Sequence, residues 1–137
     1  VIVNGDISSQ FLTGLLLALP LTGEKVVIKV DGVLVSKPYV DLTLKLMNSF
    51  GVKVRNDNWK QFEIEGGQSY SGPPRYDVEG DASSASYFFA ASMLGGGPVV
   101  VKNIVKESIQ GDIQLLDILT DIGAQTLIRQ NKACQLR

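Results

Sequence analysis

The residues best suited to chemistry lie in two short segments, each at a point where a helix is predicted to begin. The first segment is residues 5–10, Gly-Asp-Ile-Ser-Ser-Gln, which opens a helix predicted over residues 8–19. The first turn of a helix leaves backbone N–H groups unpaired and carries the positive end of the helix dipole. Glycine lets a ligand approach the backbone, and Ser8, Ser9 and Gln10 add hydroxyl and amide donors. These features favour binding of a phosphate or a carboxylate.

The second segment is residues 36–39, Ser-Lys-Pro-Tyr. Proline suits the first positions of a helix, so the pattern predicts a helix over residues 38–50 with Ser36 and Lys37 at its start. Tyr39 adds a phenolic O–H donor. Each helix follows a predicted strand, and right-handed parallel crossovers place the starts of consecutive helices at one edge of a sheet. The sequence therefore predicts that both helix starts converge on one anion.

Helix capping is the alternative interpretation of the same residues, and the sequence leaves it open. Ser and Asp are common N-cap residues, and each stabilises a helix by about 1 kcal/mol. In that case Asp6 caps the first helix, and Ser8 and Ser9 only occupy its first turn. A second copy of the motif keeps the aspartate and both serines but has Ala85 in place of Gln10. This favours capping for the residues that the two copies share.

The second copy belongs to an internal repeat that spans the chain. Residues 3–9 match residues 78–84 at five of seven positions, an offset of 75. Later matches, such as Gly51 with Gly123, follow an offset of 72. Collinear similarity of this kind indicates duplication of one structural unit.

Both halves are predicted to have the order βαβαββ, so the fold class is α/β. Residues 1–70 form the first repeat and residues 71–137 the second, joined by a Gly/Pro-rich linker. The first helix of each half is apolar nearly all round and needs protein on every side, from further copies or a partner if the two halves do not suffice. The predicted strands end at residues 3 and 78 or span 26–30, 52–54, 62–64, 99–101, 125–128 and 133–136, and the predicted helices span 8–19, 38–50, 83–94 and 112–122.

Composition excludes several classes of function. With 45% hydrophobic and 20% charged residues, the chain is able to build a core, and a net charge of -1 argues against a nucleic-acid surface. The chain has no histidine, which excludes Ser-His and Cys-His pairs and most zinc sites, and its one cysteine, Cys134, excludes an internal disulfide. We expect neither cofactor nor metal, no membrane, and a cytoplasmic location. Both ends resemble cuts from a longer protein.

Four motifs, taken together and in this order, resemble the family of 5-enolpyruvylshikimate-3-phosphate synthases. They are residues 5–13, 34–39, 79–88 and 110–112. The resemblance covers this chain from end to end, but only a central portion of the family's length. It implies a transferase of the shikimate pathway, in aromatic amino-acid and chorismate biosynthesis, that moves the enolpyruvyl group of phosphoenolpyruvate to the 5-hydroxyl of shikimate 3-phosphate.

The resemblance also implies an architecture and a role for individual residues. The family has two domains, each an inside-out α/β barrel of three βαβαββ units. Residues 1–70 are then the last unit of one barrel and residues 71–137 the first unit of the other. Ser8, Ser9 and Ser36 are similar to residues that bind the phosphate of shikimate 3-phosphate, Gln10 to a contact near both ligands, and Tyr39 to a contact with the shikimate ring.

The family's basic residues for phosphoenolpyruvate and its principal acidic residues for proton transfer lie outside this stretch. The resemblance therefore implies that the catalytic residues are not among those identified here and that the segment is inactive without the remainder of the enzyme. Two alternatives stay open from the sequence. One is a related enolpyruvyl transferase acting on UDP-N-acetylglucosamine, and the other is a non-catalytic module for anion binding or assembly.

Overall fold

Seven strands and four α-helices form the part of the chain that the computed structural model describes, residues 1–105, 108–129 and 133–136. The elements divide into two compact units, Val1–Tyr76 and Asp77–Arg137. Each unit has its own cluster of buried apolar side chains.

The first unit is a four-stranded sheet with two helices. In chain order its elements are β1 (Ile2–Asn4), α1 (Ser9–Ala18), β2 (Val26–Asp31), α2 (Lys37–Ser49), β3 (Val54–Asp57) and β4 (Gln61–Ile64). The strands lie in the order β1-β2-β4-β3. β1 and β2 are parallel, with Asn4 opposite Asp31, whereas β4 is antiparallel to both β2 and β3. The unit therefore has the order βαβαββ.

Local sequence explains where these elements end. α1 passes into a 3₁₀ turn, Leu19–Thr22, because Pro20 has no N–H to continue the helical hydrogen bonds. Gly51 follows α2 with φ +86° and Gly123 follows the last helix of the chain with φ +108°, as predicted for residues at helix C-termini. Between β3 and β4, Trp59 lies in the left-handed region, and Asn56 Oδ1 accepts a hydrogen bond from its N–H at 2.9 Å.

The core of the first unit joins both helices to the sheet. The side chains in it are buried and come from every strand and α-helix of the unit except β3. They are Val3 of β1, Leu12 and Leu16 of α1, Ile28 and Val30 of β2, Val40 and Met47 of α2, Phe62 and Ile64 of β4, and Leu34 and Val52 of the connections. This packing fixes the positions of α1 and α2 on the sheet, and with them the positions of their first turns.

The second unit has a three-stranded antiparallel sheet with the order β5-β7-β6. Its elements are α3 (Ala82–Ala91), β5 (Val99–Lys102), α4 (Leu115–Asp121), β6 (Thr126–Arg129) and β7 (Ala133–Leu136), with a π-helical turn at Ser92–Gly96 and a 3₁₀ turn at Gly111–Gln114. The second predicted helix of this unit thus begins with the 3₁₀ turn. Cys134 lies in β7, within the strand predicted over residues 133–136.

The prediction of a strand that ends at Val78 is wrong. Residues 68–81 form no strand. The segment is held beside the end of β5 by the Gly80 N–H, which donates to the Asn103 carbonyl at 2.7 Å. The Asn103 side chain donates to the Val78 carbonyl at 2.6 Å and so satisfies the group that a neighbouring strand would pair with. One backbone bond and one side-chain bond replace the parallel ladder of the first unit.

The first helix of each unit has one buried face and one exposed apolar face. In α1, Leu12 and Leu16 are fully buried, whereas Phe11 is 63% exposed. In α3, Phe89 is buried, whereas Tyr87 is 78% exposed. Among the described residues, neither unit covers its own first helix on every side, which leaves the expected cover to further copies or a partner. In the described ranges, we find no helix with the length and apolar character required to cross a membrane.

Candidate functional site

The starts of α1 and α2 lie at the same edge of the first sheet. α1 follows β1 and α2 follows β2, and these strands are parallel neighbours. Two backbone hydrogen bonds join the loops directly. The Gly5 N–H donates to the Asp31 carbonyl at 2.8 Å, and the Val35 N–H donates to the Gly5 carbonyl at 3.1 Å. Because Val35 immediately precedes Ser36, these bonds tie the two predicted segments together.

The cap of α1 is Ser8. Its backbone is extended, with φ −161° and ψ 134°, and its Oγ accepts a hydrogen bond from the Gln10 N–H at 3.2 Å. The alternative in which Asp6 caps this helix is wrong, because Asp6 Oδ1 accepts the Val33 N–H of the neighbouring loop instead, at 2.5 Å. Ser9 is the first helical residue and is buried, whereas Gln10 is exposed.

At the start of α2, Ser36 adopts the left-handed conformation, with φ 54° and ψ 41°. For a residue with a side chain this conformation costs about 1–2 kcal/mol, and such strain often marks functional sites. The Ser36 side chain makes no capping hydrogen bond, although its carbonyl accepts the Tyr39 N–H at 3.0 Å. Ser36, Lys37 and Tyr39 are all exposed. Their polar groups are therefore open to solvent at the edge where α1 also begins.

The helix of the second unit that corresponds to α1 is α3, and it is capped by an aspartate instead of a serine. Asp81 caps α3 by accepting the Ser83 N–H at 3.0 Å, and Ser84 Oγ also donates to this carboxylate at 2.6 Å. The hydrogen bond from the Ser84 hydroxyl has the largest effect on the Asp81 carboxyl. Together with the bond from the Ser83 N–H, it holds the pKa of this carboxyl below its usual range. Capping thus accounts for the Asp81 carboxylate.

Three serines of the second unit, the counterparts of those proposed for the site, donate to carboxylates. Following the repeat offsets, the counterparts of Ser8, Ser9 and Ser36 are Ser83, Ser84 and Ser108. Their acceptors are Asp112 for Ser83, Asp81 for Ser84, and Glu79 for Ser108 at 2.6 Å. In the described part of the first unit, by contrast, no carboxylate accepts a hydrogen bond from Ser8, Ser9 or Ser36. The two units therefore differ in the partners of these hydroxyls.

The structure places the five residues proposed from sequence in two groups at the same edge of the first sheet. Ser8, Ser9 and Gln10 occupy the start of α1, and Ser36 and Tyr39 occupy the start of α2. Sequence reasoning missed the contact between Asp6 and the loop before α2. The signal available for it was Asp31-Gly32, a turn dipeptide at the end of β2. No group of three His, Cys, Asp or Glu side chains suited to a metal ion occurs within the described ranges.

The sequence of the chain is similar to known proteins along nearly its whole length. The model of the family EPSP synthase (3-phosphoshikimate 1-carboxyvinyltransferase) matches residues 1–136. The chain is 55% identical over 122 residues to proteins named 3-phosphoshikimate 1-carboxyvinyltransferase from Escherichia coli (strain K12 / DH10B), Shigella boydii serotype 18 and Salmonella newport. Each match covers 89% of this chain and 29% of the relative.

The chain thus spans about 29% of the length of the curated relatives that it matches. Its mixed α/β units are consistent with the enolpyruvyl transferase fold that the family has. Since the family match covers all but the last residue, the chain belongs to the EPSP synthase (3-phosphoshikimate 1-carboxyvinyltransferase) family.

Proposed function

We propose that this chain supplies the shikimate 3-phosphate site of a transferase that moves the enolpyruvyl group of phosphoenolpyruvate to the 5-hydroxyl of that substrate. One observation carries the proposal. Two helix starts meet at one sheet edge with serine hydroxyls that no carboxylate engages, while the duplicated serines of the second unit all donate to carboxylates. A doubly charged phosphate is favoured by the first arrangement and repelled by the second.

The proposed contacts follow from the groups that each residue offers. Ser8, Ser9 and Ser36 donate hydroxyl hydrogen bonds to the phosphate oxygens, together with the unpaired N–H groups of the first turn of α1. Burial of Ser9 restricts the positions available to its hydroxyl, which lowers the entropy lost on binding. Gln10 contacts the substrate near both ligands, and the Tyr39 phenol contacts the shikimate ring or its hydroxyls.

The proposed architecture is that of the inside-out α/β barrel built from βαβαββ repeats. Residues 1–70 are the last unit of one barrel domain, and residues 71–137 are the first unit of the second. The internal repeat and the βαβαββ order of the first unit support this assignment. The remainder of the enzyme completes both barrels and supplies most of the phosphoenolpyruvate site. A cytoplasmic location, consistent with a single cysteine, is part of the same proposal.

Titration of the chain with shikimate 3-phosphate, followed by backbone amide NMR shifts, tests the site. We expect saturable shifts at residues 8–10 and 36–39. Joint substitution of Ser8, Ser9 and Ser36 by alanine removes three charge-assisted hydrogen bonds and weakens binding by several kcal/mol in total. The matched control substitutes Ser83, Ser84 and Ser108 by alanine and leaves the affinity unchanged. Equal affinity of the two triple variants would contradict the proposal.

A steady-state phosphate-release assay tests the division of labour within the enzyme. Catalysis of enolpyruvyl transfer needs fixed positive charge at the developing phosphate and carboxylate charges. We propose that this charge comes from residues outside the chain, so the chain alone releases no phosphate from phosphoenolpyruvate and shikimate 3-phosphate. Appreciable turnover by the chain would overturn this part.

The two alternative functions are not favoured. The relatives are named 3-phosphoshikimate 1-carboxyvinyltransferase, which argues against an enzyme acting on UDP-N-acetylglucosamine. A non-catalytic module whose serines only cap helices is disfavoured by Ser36, which adopts a strained conformation and makes no capping hydrogen bond.

A further inference from the structure

The aspartate shared by the two repeats makes different contacts in the two units. Asp81 accepts hydrogen bonds from its own helix, whereas Asp6 accepts the Val33 N–H of the loop that leads to α2. The Asp6 N–H is in turn held by Asn4 Oδ1 at 2.8 Å. Asp6 therefore joins the start of α1 to the loop that ends at Ser36, and among the described residues of the second unit Asp81 makes no corresponding link.

The residue that leaves room for the Asp6 carboxylate is Gly32. It lies at φ +76°, and a Cβ built on it would overlap the Asp6 carboxylate. The counterpart of Gly32 in the second unit, at the offset of 72, is Ile104, which is buried. In the second unit the left-handed residue is Asn103 instead, so the two loops differ in backbone as well as in side chain. Glycine at position 32 leaves the space that Asp6 fills.

The contact between Asp6 and Val33 acts on the segment that leads to Ser36. Asp6 binds Val33, the Gly5 carbonyl binds the Val35 N–H, and Ser36 comes next in the chain in its strained left-handed conformation. A strained residue keeps its conformation only where its surroundings impose it. We infer that Asp6, in the space left by Gly32, is a positioning residue that sets the place of Ser36 relative to the start of α1. Its effect on ligand binding rests on the proposed function.

Three variants of the full chain test this role: Asp6→Ala, Asp6→Asn and the matched control Asp81→Ala. Asparagine keeps an acceptor oxygen for the Val33 N–H, whereas alanine removes it. Lys60 Nζ also donates to the Gly32 carbonyl at 2.7 Å, so we expect the loop to stay folded in every variant. Hydrogen exchange at Val33 and Val35 and the amide-to-Hα coupling of Ser36 report the loop, and titration with shikimate 3-phosphate reports the site.

We expect Asp6→Ala to speed exchange at Val33, shift the Ser36 coupling and weaken shikimate 3-phosphate binding at least tenfold. Asp6→Asn keeps the exchange rate and the affinity within about threefold of the wild type and leaves the Ser36 coupling near its wild-type value. Asp81→Ala changes none of these three quantities, although it lowers the thermal stability of the second unit. The charge effect has the opposite sign, because removing a carboxylate near an anion tightens binding in both Asp6 variants. Tighter or unchanged binding by Asp6→Ala would therefore overturn the inference.

The two proposals fail in different ways. If the wild-type chain shows no shikimate 3-phosphate shifts, the proposed function fails, and the exchange and coupling measurements still judge the positioning role. If the wild type binds while Asp6→Ala leaves the loop and the affinity unchanged, the positioning role fails and the proposed function stands.

Discussion

Ser36 lies at the start of α2, and its backbone conformation favours a residue that the proposed binding site does not. Its φ of 54° suits glycine better than serine. We expect Ser36→Gly to stabilise the first unit by about 1 kcal/mol, because glycine adopts this conformation without the clash of a Cβ. The same change removes a hydroxyl and weakens shikimate 3-phosphate binding. Urea unfolding followed by Trp59 fluorescence measures the first effect.

Ser49 provides the control for this prediction. It is the last residue of α2 and has helical geometry, so Ser49→Gly lowers stability rather than raising it. A loss of stability in Ser36→Gly as well would show that the left-handed conformation of Ser36 carries no strain.

Glu63 is the residue from which we expect a pH dependence of stability. It is buried in β4, with Lys25 Nζ at 2.5 Å from its Oε1 and the Arg55 guanidinium at its other oxygen. The hydrogen bond from Lys25, and after it the charge of Arg55, hold the pKa of the Glu63 carboxyl below its usual range. In return, hydrogen bonds to Glu63 and then to Glu65 raise the pKa of the Lys25 amine.

The signs of these shifts give the pH range. A carboxyl with a lowered pKa stabilises the fold above its unfolded pKa, about 4.3, and this stabilisation is lost as the pH falls through the folded pKa. Lys25, with a raised pKa, loses its contribution only as the pH rises above about 10.4. We expect wild type to be more stable than Glu63→Gln at pH 7, with the two melting temperatures converging below about pH 4. A constant difference down to pH 3 would exclude the ion pair as the cause.

At the level of elements, glycines at two positions of the same unit should respond in opposite directions to alanine. Gly14 lies inside α1 with open space around its Cβ position, so Gly14→Ala stabilises the first unit by about 0.5–1 kcal/mol. Gly51 ends α2 at φ +86°, so Gly51→Ala destabilises it by about 1 kcal/mol. Chemical denaturation of the two variants measures both, and the same sign for both would contradict the backbone explanation.

The elements that the sequence predicted best are those whose signals are local. Apolar periodicity and helix-terminal glycines such as Gly51 and Gly123 identify helices and their ends without reference to the rest of the chain. The prediction of a strand at Val78 was wrong because the conformation there depends on Asn103, 25 positions away. The Asn103 side chain donates a hydrogen bond to the Val78 carbonyl. The contact of Asp6 was missed for the same reason, since the space that admits it is left by Gly32.

In the candidate site, too, the sequence predicted what depends on local signals and missed what depends on contacts between distant residues. Ser8, Ser9 and Ser36 were identified by residue type at helix starts, which is a local pattern. That the serines of the second unit are engaged by Asp81, Asp112 and Glu79 is set by folding and is invisible in the motif itself, since both copies read Gly-Asp-x-Ser-Ser. The difference between the two copies is therefore a property of three-dimensional contacts.

The whole molecule has two separate cores, and this makes a prediction about unfolding. Trp59, the one tryptophan of the chain, packs on Phe62 in the first unit with ring centroids 6.3 Å apart, so its fluorescence reports that unit alone. Leu16 is fully buried in the same core, and Leu16→Ala should lower the stability measured by Trp59 by about 2–5 kcal/mol. Leu116 is buried in the core of the second unit, which shares no residue with the first.

Leu116→Ala therefore makes the matched experiment. We expect it to leave the Trp59 transition in urea in place while lowering the stability of the second unit, because the cavity opens in a core that Trp59 does not contact. Far-ultraviolet circular dichroism, which reports the helices of both units, should then show two transitions where fluorescence shows one. An equal shift of the Trp59 transition by both variants would mean that the chain unfolds as one cooperative unit, in spite of its two cores.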